Sequence, residues 1–185
     1  MLALYLAFIL SVAPALAQFV PSTPSRGFPP QKGQFLEATA IVTNSQNHSA
    51  LECWRLTDPF TTSSEAGTAG AATLNIENFA NTTYTVLPPR FEGGVHNAPH
   101  PQLVVFLSGV AHVTLPQGTD DTFVVGGSDG VIFAVDTVGG GHNTSYPSNM
   151  ETRALQIPFT DGIIPPHIVL NSGPCTTSDQ LVTIS

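Results

Sequence analysis

An all-β fold of the sandwich or barrel kind is predicted by two features of the sequence. Short runs rich in β-branched and aromatic residues recur along the chain, each bounded by Gly, Pro, Asn or Asp. No segment keeps a helical period for three turns.

Taken in order, the elements begin with residues 1–17, which read as a cleavable signal peptide. The stretch 2–13 is almost unbroken in apolar residues, and Ala15-Leu16-Ala17 offers small residues at −3 and −1, so cleavage is expected before Gln18. A retained membrane helix is the poorer reading, because the run is shorter than the ~20 residues a bilayer core demands and Pro14 interrupts its end. The absence of Lys and Arg from its start is the one departure from the pattern. Residues 18–33 hold Pro21, Pro24, Pro29 and Pro30 with Gly27 and Gly33, which bars a helix or central strand and leaves an extended arm. A single domain, 34–185, follows. Strands are expected in it at 34–42, 50–56, 72–76, 83–87, 102–107, 111–115, 122–125, 131–135 and 153–158, with a small, polar, flexible loop at 61–70. The mature chain of about 168 residues is long enough to bury roughly two-thirds of its unfolded surface.

Charge and cysteine content narrow the function classes. The 13 acidic and 5 basic residues give a net charge of −8. Affinity for polyanions rests on Lys and Arg displacing counterions, so nucleic acid is not an expected partner. With no polybasic segment, an anionic membrane surface is disfavoured too. The two cysteines, Cys53 and Cys175, are expected to pair in an oxidising lumen, two separately buried thiols being the alternative. Such a bridge closes more than a hundred residues and contributes on the order of 4 to 5 kcal/mol through the unfolded state. Sequons at Asn47, Asn81 and Asn143 agree with a secreted or secretory-lumen glycoprotein and place each Asn at the surface.

The most informative residues are Gly93-Gly94-Val95-His96-Asn97-Ala98-Pro99-His100-Pro101-Gln102, continuing through Val104 and Phe106 to Leu107-Ser108-Gly109, and then Gly126 to Val135 followed by Asp136-Thr137-Val138-Gly139-Gly140-Gly141-His142. This block resembles the two motifs of the cupin superfamily, in particular small single-domain members that read His-x-Ala-Pro-x-x-Gln, a Leu-Ser-Gly turn, and Asp-Thr-x-Gly-x-Gly-His. The resemblance covers about fifty of the 185 residues. It implies a cupin-type antiparallel jelly-roll barrel with a pocket at its wider mouth. Such barrels often pair through a terminal strand, which makes the arm a candidate for exchange in a homodimer.

In metal-binding members the first motif supplies two His and a Glu, and the second a third His. Carried over by position, His96 matches the first ligand, Ala98 stands in place of the second His, Gln102 replaces the Glu, and His142 matches the last. A methyl group cannot coordinate, and an amide oxygen is a weaker, neutral donor. The expectation is therefore a site without a cofactor. The alternative is a divalent metal on His96, His100, Gln102 and His142, since positions 96, 98, 100 and 102 share one face of an extended strand, although Pro99 and Pro101 flank His100.

What remains is a pocket in which His96, Gln102 and His142 converge on an apolar interior, joined through strand parity by Val104 and Phe106. Asp136 is expected either to orient His142 or to cap its turn, and Tyr146 to reach the mouth as a phenol donor. Two imidazoles facing a ligand can trade protons with it near neutral pH. The expected function is a secreted cupin-like enzyme doing metal-independent acid/base chemistry (dehydration, isomerisation or cyclisation) on a small apolar organic molecule of secondary metabolism. A metal-dependent cupin oxygenase and a non-catalytic binding protein or secreted effector are the alternatives. His112 and His167 read as surface or structural histidines, and Trp54 as core. Arg55, Arg90 and Arg153 read as surface ion pairs or, if one lies inside the barrel, as a carboxylate anchor. No nucleophile elbow, P-loop, dinucleotide fingerprint or zinc-type cysteine spacing occurs.

Overall fold

The computed structural model describes residues 33–176 and 180–183. The expected signal peptide, and the arm up to residue 32, lie outside the described residues. Within them the regular elements are strands, apart from one 3₁₀ turn at Thr160–Gly162. In chain order they are β1 (Gln34–Thr43), β2 (Ser49–Leu56), β3 (Thr61–Thr62), β4 (Ala72–Thr73), β5 (Thr83–Leu87), β6 (Glu92–His96), β7 (Gln102–Ser108), β8 (Val110–Thr114), β9 (Asp121–Val125), β10 (Val131–Ala134), β11 (His142–Ser145), β12 (Thr152–Pro158), β13 (His167–Ser172) and β14 (Leu181–Thr183).

The large sheet runs β13, β2, β1, β10, β7, β12, β5, with β14 paired to the start of β1. A second sheet runs β6, β11, β8, β9, and β3 with β4 makes a short ribbon. Pairing is antiparallel except between β1 and β10, which run parallel with Thr39 opposite Ile132. The two sheets face one another without closing into a single barrel.

Alternation along the strands explains the layers. On β7, Gln102, Val104 and Phe106 point between the sheets, while Leu103 and Val105 point to the far side. On β10, Ile132 and Ala134 face inward and Val131 and Phe133 outward. Ile41, Leu51, Ala111, Val113 and Val124 complete the inner core. The far side of the large sheet, with Ala38, Ala40, Trp54 and Leu56, is covered by Phe159, Leu74, Ile76 and Ile164. Burial on both faces is why β7 and β10 read as continuous apolar runs rather than as polar alternation.

Cys53 on β2 is bridged to Cys175 across 122 residues, with the Cα atoms 4.6 Å apart. Closing a loop of that length restricts the unfolded chain by about 5 kcal/mol. The Cys175 amide donates to Thr39 Oγ1 at 3.0 Å, fastening the tail to β1 as well.

Several boundaries differ from expectation. The loop expected at 61–70 begins with β3, and the strand expected over 72–76 is only Ala72–Thr73. β6 and β11 have no strong local signal, being rich in Gly, His, Asn and Ser, and they exist through pairing, whereas β13 carries the run Ile168-Val169-Leu170 and lies outside the expected strands. β6 and β11 pair with each other, and β13 lies on β2, which puts His167 opposite Leu56.

Candidate functional site

The register of β6 against β11 sets His96 directly opposite His142. Their ring centroids are 4.6 Å apart with the planes tilted by 56°. Gly141 makes this approach possible. Its φ is +73°, and a Cβ there would sit 2.8 Å from the His96 carbonyl oxygen. The histidines border a cavity of about 50 Å³ between the sheets, lined also by Gln102, Val104, Phe106, Tyr146 and Gln156. His142 and Gln102 are buried, 4% and 5% exposed, whereas His96 lies exposed at the rim.

Behind His142 stands a buried polar chain. His142 Nδ1 is 2.7 Å from Asp136 Oδ2, and the Ser49 hydroxyl donates to the same oxygen at 2.6 Å. Asp136 is fully buried, and its Oδ1 has no partner among the described residues. An ionised carboxylate only accepts, so His142 carries its proton on Nδ1 and leaves Nε2 uncommitted. His96 is fixed in the same sense, Nδ1 donating to the Gly94 carbonyl at 2.9 Å. Asn97 ties the approach to this chain in place, its side-chain amide donating to the Asp136 and Val138 carbonyls at 2.9 and 3.0 Å. Tyr146 is half-buried and packs on Phe91. Burial pushes its phenol above the ordinary tyrosine range, so it remains a proton donor at any physiological pH.

Comparison with protein-family models, curated proteins and solved structures finds no match.

The residues singled out in the sequence fall into three groups. His96, Gln102, His142, Val104, Phe106 and Tyr146 meet at the cavity, and Asp136 lies behind it on His142. His100 does not join them. Residues 97–101 leave β6 and bend before β7 begins, so the alternation that would align His100 with His96 and Gln102 is broken, and His100 is exposed. The remaining candidates lie elsewhere. Arg55 pairs with the buried Glu37 at 2.6 Å, Arg153 with Glu151 at 3.1 Å, and Arg90 with Asn149 at 2.8 Å. His112 pairs with Asp121 at 2.6 Å. Trp54 is buried and stacks on His167 at 3.6 Å. Asn47 and Asn81 are exposed, while Asn143 is half-buried beside His142 and bonds Thr114.

Ser49, Asn97 and Gln156 carry no sequence signal for the site. Ser49 is 87 residues from Asp136. Gln156 becomes visible only once Ala154, two residues earlier, is known to face the core.

A divalent ion is tested by the donors present. Both imidazoles hold the tautomer that metal ligands use. The third donor, Gln102, is a neutral amide, and no group of three His, Cys, Asp or Glu converges among the described residues. Catalytic ions usually need three strong protein ligands. The set does not fit one.

Proposed function

We propose that this chain is a secreted enzyme of proton transfer, with a cupin-type jelly roll, acting on a small and mainly apolar carbonyl compound. The observation that carries the reading is the buried Asp136 carboxylate on His142 Nδ1, which leaves Nε2 as a base beside the cavity. His142 takes a proton from carbon next to the carbonyl, the electron pair moves onto the carbonyl oxygen, and the buried carboxylate balances the imidazolium that forms. Tyr146, kept neutral by burial, and the Gln102 amide supply donors for the developing oxyanion. Return of the proton to a different atom completes an isomerisation, and loss of a β-hydroxyl completes a dehydration. His96 at the rim exchanges the proton with solvent.

The cavity of about 50 Å³ is far smaller than the roughly 300–1,000 Å³ typical of small-molecule sites. It thus accepts only the reacting end of a molecule, the remainder lying over His96. That volume also favours a second reading, in which the histidine pair is a structural remnant in a non-catalytic binding protein or effector. Secretion is supported by the Cys53–Cys175 bridge, and no described helix is long and apolar enough to cross a membrane. The resemblance of the His96 to His142 block to cupin motifs and the two facing sheets support the jelly roll.

Exchange of α-protons for solvent deuterium, followed by NMR over a panel of small aldehydes and ketones, tests the proposal. At least one compound should exchange with the wild type and at least 100-fold more slowly with His142→Gln. If no compound separates the two proteins, the second reading stands.

A further inference from the structure

A larger concavity lies on the opposite side of the large sheet from the histidines. It encloses about 610 Å³, inside the range of roughly 300–1,000 Å³ typical of small-molecule sites. Its walls are Leu56, Leu74, Ile76 and Ile164, and Asp58 and Glu77 stand among its lining residues without any Lys or Arg. Neither carboxylate enters an ion pair with a described residue. The basic side chains of the described residues, Arg55, Arg90 and Arg153, are all engaged elsewhere. The net charge of −8 strengthens the attraction of this face for cations.

We propose that this groove is a second ligand site, for a compact apolar molecule carrying one protonated amine. The aliphatic walls take the hydrocarbon, and the amine lies at the rim between Asp58 and Glu77, replacing part of its water with charge-assisted hydrogen bonds. Anions are repelled and neutral analogues lose only the polar contribution. Because both carboxylates are exposed, that contribution is modest and salt-sensitive. The site is independent of the proton-transfer reading.

Three near-isosteric probes distinguish these cases: 1-naphthylmethylamine, 1-naphthylmethanol and 1-naphthylacetate, titrated into the full mature chain and followed by amide NMR shifts. The amine is expected to bind roughly 3- to 10-fold more tightly than the alcohol, with the acid weakest. Asp58→Asn combined with Glu77→Gln should flatten the series, as should 0.5 M salt. Ile163→Arg, at a lining residue 56% exposed and therefore tolerant of change, should invert it by placing a cation in the groove. Equal affinities of the three probes, or a series unmoved by both variants, overturn the proposal. Shifts that map to His142 and Tyr146 instead of Leu74 and Ile164 also overturn it. So does an absence of binding by all three probes, and protection of the Arg26–Gly27 bond from trypsin in that case gives the groove to the chain's own arm.

Discussion

Replacing Asp136 by Ala isolates the contribution of the buried polar chain. The carboxylate oxygen Oδ2 is the common acceptor for the Ser49 hydroxyl and for His142 Nδ1. Its removal strands two buried donors, each at about 1–3 kcal/mol. Part of that cost is offset, because the variant no longer buries a charge or the unpartnered Oδ1. A net loss of about 2–4 kcal/mol follows. At ~2–4 °C per kcal/mol for a domain of this size, Tm should fall by roughly 6–12 °C for a 3 kcal/mol loss. Ser49→Ala strands nothing on His142 and should cost only about 1 kcal/mol. Urea unfolding of both single variants and the double variant gives the coupling, expected to exceed about 0.5 kcal/mol because the two residues share one oxygen. The ¹⁵N shifts of the His142 ring should show the Nδ1–H tautomer in the wild type and a mixture in Asp136→Ala. A Tm within 2 °C of wild type, or strict additivity of the two substitutions, would refute the reasoning.

Further outcomes follow from other features. Gly141→Ala forces a side chain into a left-handed turn and against the His96 carbonyl; chemical denaturation should show a loss of about 1–3 kcal/mol, with weaker ring-to-ring NOEs between His96 and His142. Replacing both Cys53 and Cys175 by Ser should destabilise the protein by about 2–5 kcal/mol, read as a lower urea midpoint. The Tyr146 phenol is raised in the folded state, so the unfolded chain ionises first. Stability should therefore hold below the unfolded value near 10 and decline as pH rises through the folded one. Tyr146→Phe should remove that share of the alkaline decline, and absorbance at 295 nm should lose its most alkaline tyrosine step.

Much of the architecture is legible in the sequence wherever one segment carries its own signal. β1, β7 and β10 each carry a run rich in β-branched or aromatic residues, and burial of the large sheet on both faces keeps those runs apolar. β6 and β11 do not, because Gly93, Gly94, Asn143 and Ser145 have little intrinsic preference for a strand. Only the opposing partner specifies them. The site shows the same division. Val104, Phe106 and Gln102 follow from period-two geometry on one strand, whereas Ser49 reaches Asp136 only through tertiary packing. His100 stands apart from His96 and Gln102 for a local reason: Pro99 and Pro101 flank it, and the backbone bends between β6 and β7.

The parallel pairing of β1 with β10 bears on how the chain assembles during synthesis. One edge of β1 meets β2 as soon as the hairpin is made, but the other waits for Ile132, Phe133 and Ala134, and its first residues wait for β14 near the end of the chain. Throughout that interval the N-terminal hairpin presents an unpaired, apolar strand edge, and Cys53 remains a free thiol until Cys175 emerges. The nascent chain is thus most vulnerable to aggregation and wrong pairing before residue 131 is available, and the disulfide can seal the fold only as one of its last events.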